Sequence, residues 1–134
     1  MKLCLEIKRS IRWKYYFYFL VALTALGSIE FLYNEASGIA EAIYAPLSII
    51  GIIGIYGYVF SKKILHRSFW LYFLAIYLAA TIAYYFVTDI DLSAGMTPEE
   101  YIYVNIFSWA ISLPGYIGIL LYGLPSNKLW NNDV

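Results

Sequence analysis

Few side chains of this sequence could do chemistry inside so apolar a chain, and the foremost are Glu30, Asn34, Glu41 and Asn105. A carboxylate near the hydrocarbon boundary is costly and by default signals a function. Here that function would be a proton-linked switch at Glu30, with the other three as partners in an intramembrane polar site. Plainer roles compete. Glu30 can simply mark the outer interface, and Glu41 can complement the dipole at the start of a helix. Asp89 and Asp91 lack the regular ligand spacing and closing Glu of a calcium loop. The single cysteine, Cys4, excludes an internal disulfide or a Cys-x-x-Cys pair. The single histidine, His66, lies between Lys63 and Arg67, whose charge discourages metal binding, and reads as a loop residue. No Ser-His-Asp, Cys-His or zinc set and no phosphate-binding glycine loop can be assembled, so neither an enzyme, a cofactor nor a metal is expected.

The elements that must carry these residues follow from composition. Hydrophobic residues make up 62% of the 134 positions and charged residues 13%, against roughly 45–50% and 25% in soluble domains. Charges bound the apolar runs. Tyr15 to Ile29 is too short to span the roughly 30 Å hydrocarbon core, and extension to Tyr33 closes the gap, which puts Glu30 near the last turn of the first helix. The other runs are Ala42 to Ser61, Ser68 to Thr88 and Tyr101 to Asn127. The last is expected to stop near Tyr122, ahead of Gly123 and Pro125. The expectation is therefore one all-α transmembrane domain over 1–134, a four-helix bundle of two helical hairpins with spans near 14–33, 42–61, 68–88 and 99–122.

Charge partition sets the expected orientation. All nine Lys and Arg fall in the amino-terminal tail, the link between spans two and three, and the carboxyl tail. Glu30, Glu35, Glu41, Asp89, Asp91, Glu99 and Glu100 fall on the other side. Because basic loops are retained, both termini are expected in the cytoplasm. A net charge of zero predicts no nucleic-acid partner. The run Ala25-Leu26-Gly27 before Ser28 resembles a signal cleavage site, but the apolar run continues past it to Tyr33, and retention is expected. Trp13, Tyr15, Tyr16, Tyr18, Tyr58, Trp70, Tyr84, Tyr85, Tyr101 and Tyr103 lie near span ends and read as interfacial anchors rather than as a cage for an organic cation.

Thr97 as N-cap, Pro98 at the first helical position, and Glu99 and Glu100 in the first turn form a helix start, after a link spanning about Asp89 to Glu100. Ser48, Gly51, Gly54 and Gly57 form a small-residue seam in span two, and Ala75, Ala79, Ala80 and Ala83 another in span three. Both are expected to pack helices, with a substrate groove or dimer interface as the alternative for the glycine face. Pro114, next to Gly115, should kink span four and free the carbonyl of Ala110, with Ser108 or Ser112 bonding the freed group. A short echo between the two halves, Arg9-Ser10-Ile11 against Arg67-Ser68-Phe69, is no longer than shared topology produces.

The pattern Gly57-Tyr58-x-x-Ser61-Lys62-Lys63-Ile64-Leu65 with Phe69-Trp70, and the later Leu113-Pro114-Gly115-Tyr116, Leu121-Tyr122 and Leu129-Trp130, resembles small bacterial four-span membrane proteins of unassigned function. The resemblance implies topology and no activity. Small multidrug exporters are similar in size, but their glutamate lies deep in the first helix and their charge bias is weak, so that assignment is rejected. The expected role is a noncatalytic protein of the bacterial inner membrane. Its partners would be the lipid bilayer and another membrane protein or a second copy, engaged through helix contacts. The alternative is a subunit of a small proton-linked transporter or channel using Glu30.

Overall fold

Four helices carry the chain in the computed structural model, which describes residues 10–33, 38–92 and 95–131. They are α1 (Ile11–Tyr33), α2 (Ile39–Val59), α3 (Arg67–Leu92) and α4 (Pro98–Gly123), and no strand occurs among the described residues. At positions 30–31, 40–41 and 88–92 the description covers the backbone alone. Within α2, α3 and α4 the segments Ala42–Val59, Arg67–Val87 and Pro98–Gly123 are each long and apolar enough to cross a bilayer. α1 has 23 residues, about 34 Å at helical rise.

Helix ends follow local chemistry. The Thr97 hydroxyl accepts from the Glu100 amide at 3.3 Å, and the Glu100 carboxylate accepts from the Thr97 amide at 2.9 Å. This reciprocal box satisfies two of the N–H groups orphaned at the start of α4. At the other end Leu124 is extended, as a residue before Pro125 must be. α2 closes with Ser61 left-handed at φ 52° and the Lys62 amide donating to the Gly57 carbonyl at 2.9 Å. That is the six-residue closure usually built on glycine.

One element runs differently from the expectation. α3 continues through Asp89 and Asp91 to Leu92, so the link to α4 is shorter than Asp89 to Glu100. A helix of 26 residues measures about 39 Å, longer than the hydrocarbon core, and its polar end can therefore project beyond it. α4 passes through Pro114 as one continuous helix, and α2 likewise contains Pro46, which the sequence reading passed over.

α2, α3 and α4 pack on one another, and α1 docks on α2. The buried residues lie at one end of the bundle, where the short link 60–66 joins α2 to α3. Ile55, Tyr58 and Val59 of α2 meet Trp70, Phe73 and Leu74 of α3, together with Tyr116, Ile119 and Tyr122 of α4 and Leu129 beyond it. Tyr58 and Trp70 are thus core residues and not the lipid-facing anchors expected from their positions. Tyr15, Tyr18 and Tyr103 are exposed, as anchors require.

The glycine seam explains why the core forms there. A Cβ built on Gly54 would lie 2.5 Å from the Trp70 ring, and one on Gly57 would lie 2.6 Å from the Tyr122 hydroxyl. Gly51 faces Tyr77 at 3.1 Å. At Gly54 and Gly57 the seam is therefore filled by aromatic rings of α3 and α4, not by the alanine face of α3, while Ser48 and Gly51 border a cleft. Ala75, Ala79 and Ala83 are exposed and Ala80 is half-buried, contrary to their expected place in an internal seam.

The rings also fasten the chain ends. Tyr122 donates to the Lys62 carbonyl and accepts from the Ile64 amide at 2.8 Å, while the Trp70 indole donates to the Ile64 carbonyl at 2.7 Å. Asn127 donates to the Leu121 carbonyl at 3.1 Å, and the Trp130 indole donates to the Tyr122 carbonyl at 2.6 Å. These bonds satisfy carbonyls that the end of α4 leaves without helical donors.

Candidate functional site

The opposite end of the bundle is built from similar residue types with a different result. Between Ile39 and Ile50, Ala75 and Leu92, and Pro98 and Pro114 the three packed helices contain no glycine. No described side chain in these stretches is buried. Rings that find no glycine opposite them stand apart and enclose space.

Two clefts result. One, of about 180 Å³, opens between α3 and α4 with Tyr44 of α2 at its edge. Tyr84 and Tyr85 form one wall, Tyr101 and Trp109 the other, and Asn105 and Ser108 supply polar groups. Tyr44 and Tyr84 stack at 4.8 Å with 17° between planes, and Tyr85 meets Trp109 at 6.4 Å. The second, of about 220 Å³, lies toward α1 and the core, between Tyr16, Ser48, Tyr77, Ser112 and Tyr116. Tyr44 and Ser112 border both.

A network of hydroxyls and rings joins the walls of the two clefts, and the core residues Ile55, Tyr116 and Ile119 line the larger one. The Thr81 and Tyr116 hydroxyls share a hydrogen bond of 2.7 Å, and Thr81 also donates to the Tyr77 carbonyl at 2.8 Å. Tyr77 packs against Tyr116 at 5.2 Å and Tyr44 at 5.9 Å. Ser48 donates to the Tyr44 carbonyl at 3.1 Å. Every lining residue of both clefts is uncharged. Such walls offer π faces and hydroxyl groups to a guest and no nucleophile with an adjacent base.

Pro114 and Gly115 have a specific structural role. The Tyr16 hydroxyl of α1 donates to the Ile111 carbonyl at 2.6 Å. A Cβ on Gly115 would approach that hydroxyl to 3.0 Å, so glycine is what admits it. The bond falls on Ile111, one residue beyond the Ala110 carbonyl that Pro114 deprives of its helical donor, and it comes from a tyrosine of another helix. Ring insertion of this kind depends on tertiary approach, which no spacing within α4 reveals.

Of the four residues expected to form an intramembrane polar site, Asn105 is half-buried and borders the smaller cleft. Glu30 stands three residues before the end of α1 and Glu41 in the first turn of α2, with their side chains outside the described set. Asn34 lies outside the described residues. Among the helix-packing positions, Gly51, Gly54, Gly57 and Gly115 are buried, while Ser48 and Pro114 are half-buried. His66 is exposed in the 60–66 link. No group of three or more His, Cys, Asp or Glu that could hold a metal occurs among the described residues. The residues that sequence reasoning missed as a site are Tyr44 and Trp109, whose role depends on what lies across from them. No protein-family description, curated protein or solved structure matches this chain.

Proposed function

We propose that this chain is a noncatalytic integral protein of a bacterial inner membrane, crossing four times with both termini in the cytoplasm. It acts through helix contacts as an accessory, regulatory or immunity-type partner of another membrane protein or of its own copy. The topology is supported by three helices of spanning length and apolarity, by the 23 residues of α1 and by the one-sided distribution of Lys and Arg. The resemblance to small bacterial four-span proteins belongs to the same proposal. The observation that carries the partner reading is the exposed ridge Ala75, Ala79 and Ala83 on α3. In lipid, helices associate where small residues let backbones approach. Gly54 and Gly57 are already occupied internally, and the alanine ridge offers a close-approach surface.

Crosslinking and copurification after mild extraction test this reading. Ala79→Leu should remove the recovered partner or second copy while leaving thermal stability within about 0.5 kcal/mol, as for an exposed position. Recovery of an isolated monomer from the unaltered chain overturns it. A reporter fused after Val134 should stay cytoplasmic, and exposure outside the cell overturns the topology.

One observation favours the transporter alternative, namely that Asn105 borders a cleft together with Ser108 and Ser112. On that reading Glu30→Gln abolishes proton-linked flux in reconstituted vesicles, and unchanged flux removes it.

A further inference from the structure

The smaller cleft has features that ordinary helix packing does not require. Five aromatic rings border a space of about 180 Å³: Tyr44, Tyr84, Tyr85, Tyr101 and Trp109. They come from three helices, so the enclosure depends on the fold and not on a run of sequence. A ring presents a negative π face, and a cation held between several such faces is stabilised without a carboxylate in contact.

The electrostatic setting has the matching sign. Among the described residues every Lys and Arg, namely Arg12, Lys14, Lys62, Lys63, Arg67 and Lys128, lies at the opposite end of the bundle. The cleft end carries Glu99 and Glu100, both exposed in the first turn of α4 just before Tyr101. By register Glu41 precedes Tyr44 by three positions in α2, and Asp89 follows Tyr85 by four in α3. A guest therefore meets acidic helix ends first and an uncharged aromatic interior next. This arrangement concentrates cations and disfavours anions.

The geometry points to this cleft as a binding site for a methylated ammonium group, held against the rings of Tyr84, Tyr85, Tyr101 and Trp109, with Tyr44 stacked on Tyr84 at its edge. A quaternary ammonium needs no hydrogen-bond acceptors, which suits walls made chiefly of rings. Asn105 and Ser108 are placed to meet a hydroxyl or ester attached to it. Two sources carry the same group, a free choline-like solute and the headgroup of a phosphatidylcholine lipid. The assignment does not depend on the partner reading or on Glu30.

The test uses the full chain in nanodiscs of phosphatidylglycerol, titrated with choline and followed by intrinsic fluorescence. The neutral isostere 3,3-dimethylbutan-1-ol serves as the uncharged control. Choline should bind saturably and the isostere at least about tenfold more weakly, the fold-change expected from loss of a desolvated cation–π contact. Trp109→Leu and Tyr84→Leu should each weaken choline binding by a similar factor. Tyr84→Phe, which keeps the ring face and fills the same space, should retain it. Equal affinity for choline and its isostere overturns the inference, as does absence of saturable choline binding to the unaltered protein. Loss of binding in Tyr84→Phe equal to that in Tyr84→Leu also overturns it, since a hydroxyl and not a π face would then be responsible. Repetition in phosphatidylcholine nanodiscs assigns the source. Weakened choline binding there identifies the lipid headgroup as competitor, and unchanged binding identifies a free solute, both with the site in place.

Discussion

The two ends of this bundle use the same kind of side chain for opposite purposes. At the end nearest the 60–66 link, Trp70 and Tyr122 lie flush against Gly54 and Gly57 and are fully excluded from solvent. At the other end Tyr84, Tyr85, Tyr101 and Trp109 stand among helix stretches without glycine and border a cleft. An aromatic ring needs about a side chain's depth of space on the helix across from it. Where Gly54 and Gly57 leave out a Cβ, the rings of Trp70 and Tyr122 become core, and at the glycine-free end the rings of Tyr84, Tyr85, Tyr101 and Trp109 become walls. The contrast teaches that the glycine spacing in α2, more than the distribution of aromatics, decides which end is solid. It also explains why dispersion contacts, the main stabilising term between helices in lipid, concentrate at one end.

The sharpest way to break the comparison is to truncate one tryptophan at each end. Trp70→Ala should cost about 3–5 kcal/mol, the range for deleting a buried large ring, and it also strands the Ile64 carbonyl that the indole meets at 2.7 Å. Trp109→Ala removes a half-buried ring already beside open space and should cost about 1 kcal/mol, the centre of the range for point substitutions. Reversible unfolding in mixed micelles measures both. Equal losses would mean that the cleft end is packed as tightly as the core.

A smaller effect tests the reason itself. Gly54→Ala adds one methyl at 2.5 Å from a ring that has no free space behind it. The overpacking should cost about 1–3 kcal/mol, although alanine is the better helix former. Gly27→Ala, inside α1 where nothing lies within 4 Å, is the matched control and should show no loss. A stabilised Gly54→Ala would show that Trp70 can move aside, and the account of the solid end would fall with it.

How much of this the sequence makes legible divides along physical lines. The four helices are readable because charges bound apolar runs of spanning length. The start of α4 is readable because Thr97, Pro98 and Glu100 are local chemistry. The end of α4 is readable for the same reason, since Pro125 cannot continue the helix. Legibility fails where a residue has two uses with the same address. Trp70 near a span end satisfies both an interfacial anchor and a core ring, and only Gly54 on another helix separates them. Asp89 and Asp91 read as loop residues because they are charged. A helix longer than the hydrocarbon thickness can carry charge at its end, and α3 holds both aspartates within its last turn. The cleft escaped for the converse reason: Tyr44, Tyr85 and Trp109 each look like ordinary span-end aromatics until three helices bring them together. Of the polar set, Asn105 alone has a described side chain, and it borders that same cleft.

The finest test falls at the junction of the two regions, where Tyr16 reaches α4 beside Pro114. The hydroxyl donates to the Ile111 carbonyl at 2.6 Å in a half-buried setting, and Tyr16 borders the larger cleft on its other side. Tyr16→Phe keeps the ring, so it removes the hydrogen bond with little change in packing. A single neutral hydrogen bond contributes about 1 kcal/mol net, and stability in mixed micelles should fall by that amount. Hydrogen exchange should rise in α4 around residues 111–115 and stay unchanged in the link 60–66, which Tyr122 holds by separate bonds. If exchange rose at both places, the solid end and the cleft end would open as one unit, and the boundary drawn between them at Pro114 would be wrong. If it rose at neither and stability held, the Ile111 carbonyl would have another donor, and Gly115 would owe its place to helix approach alone.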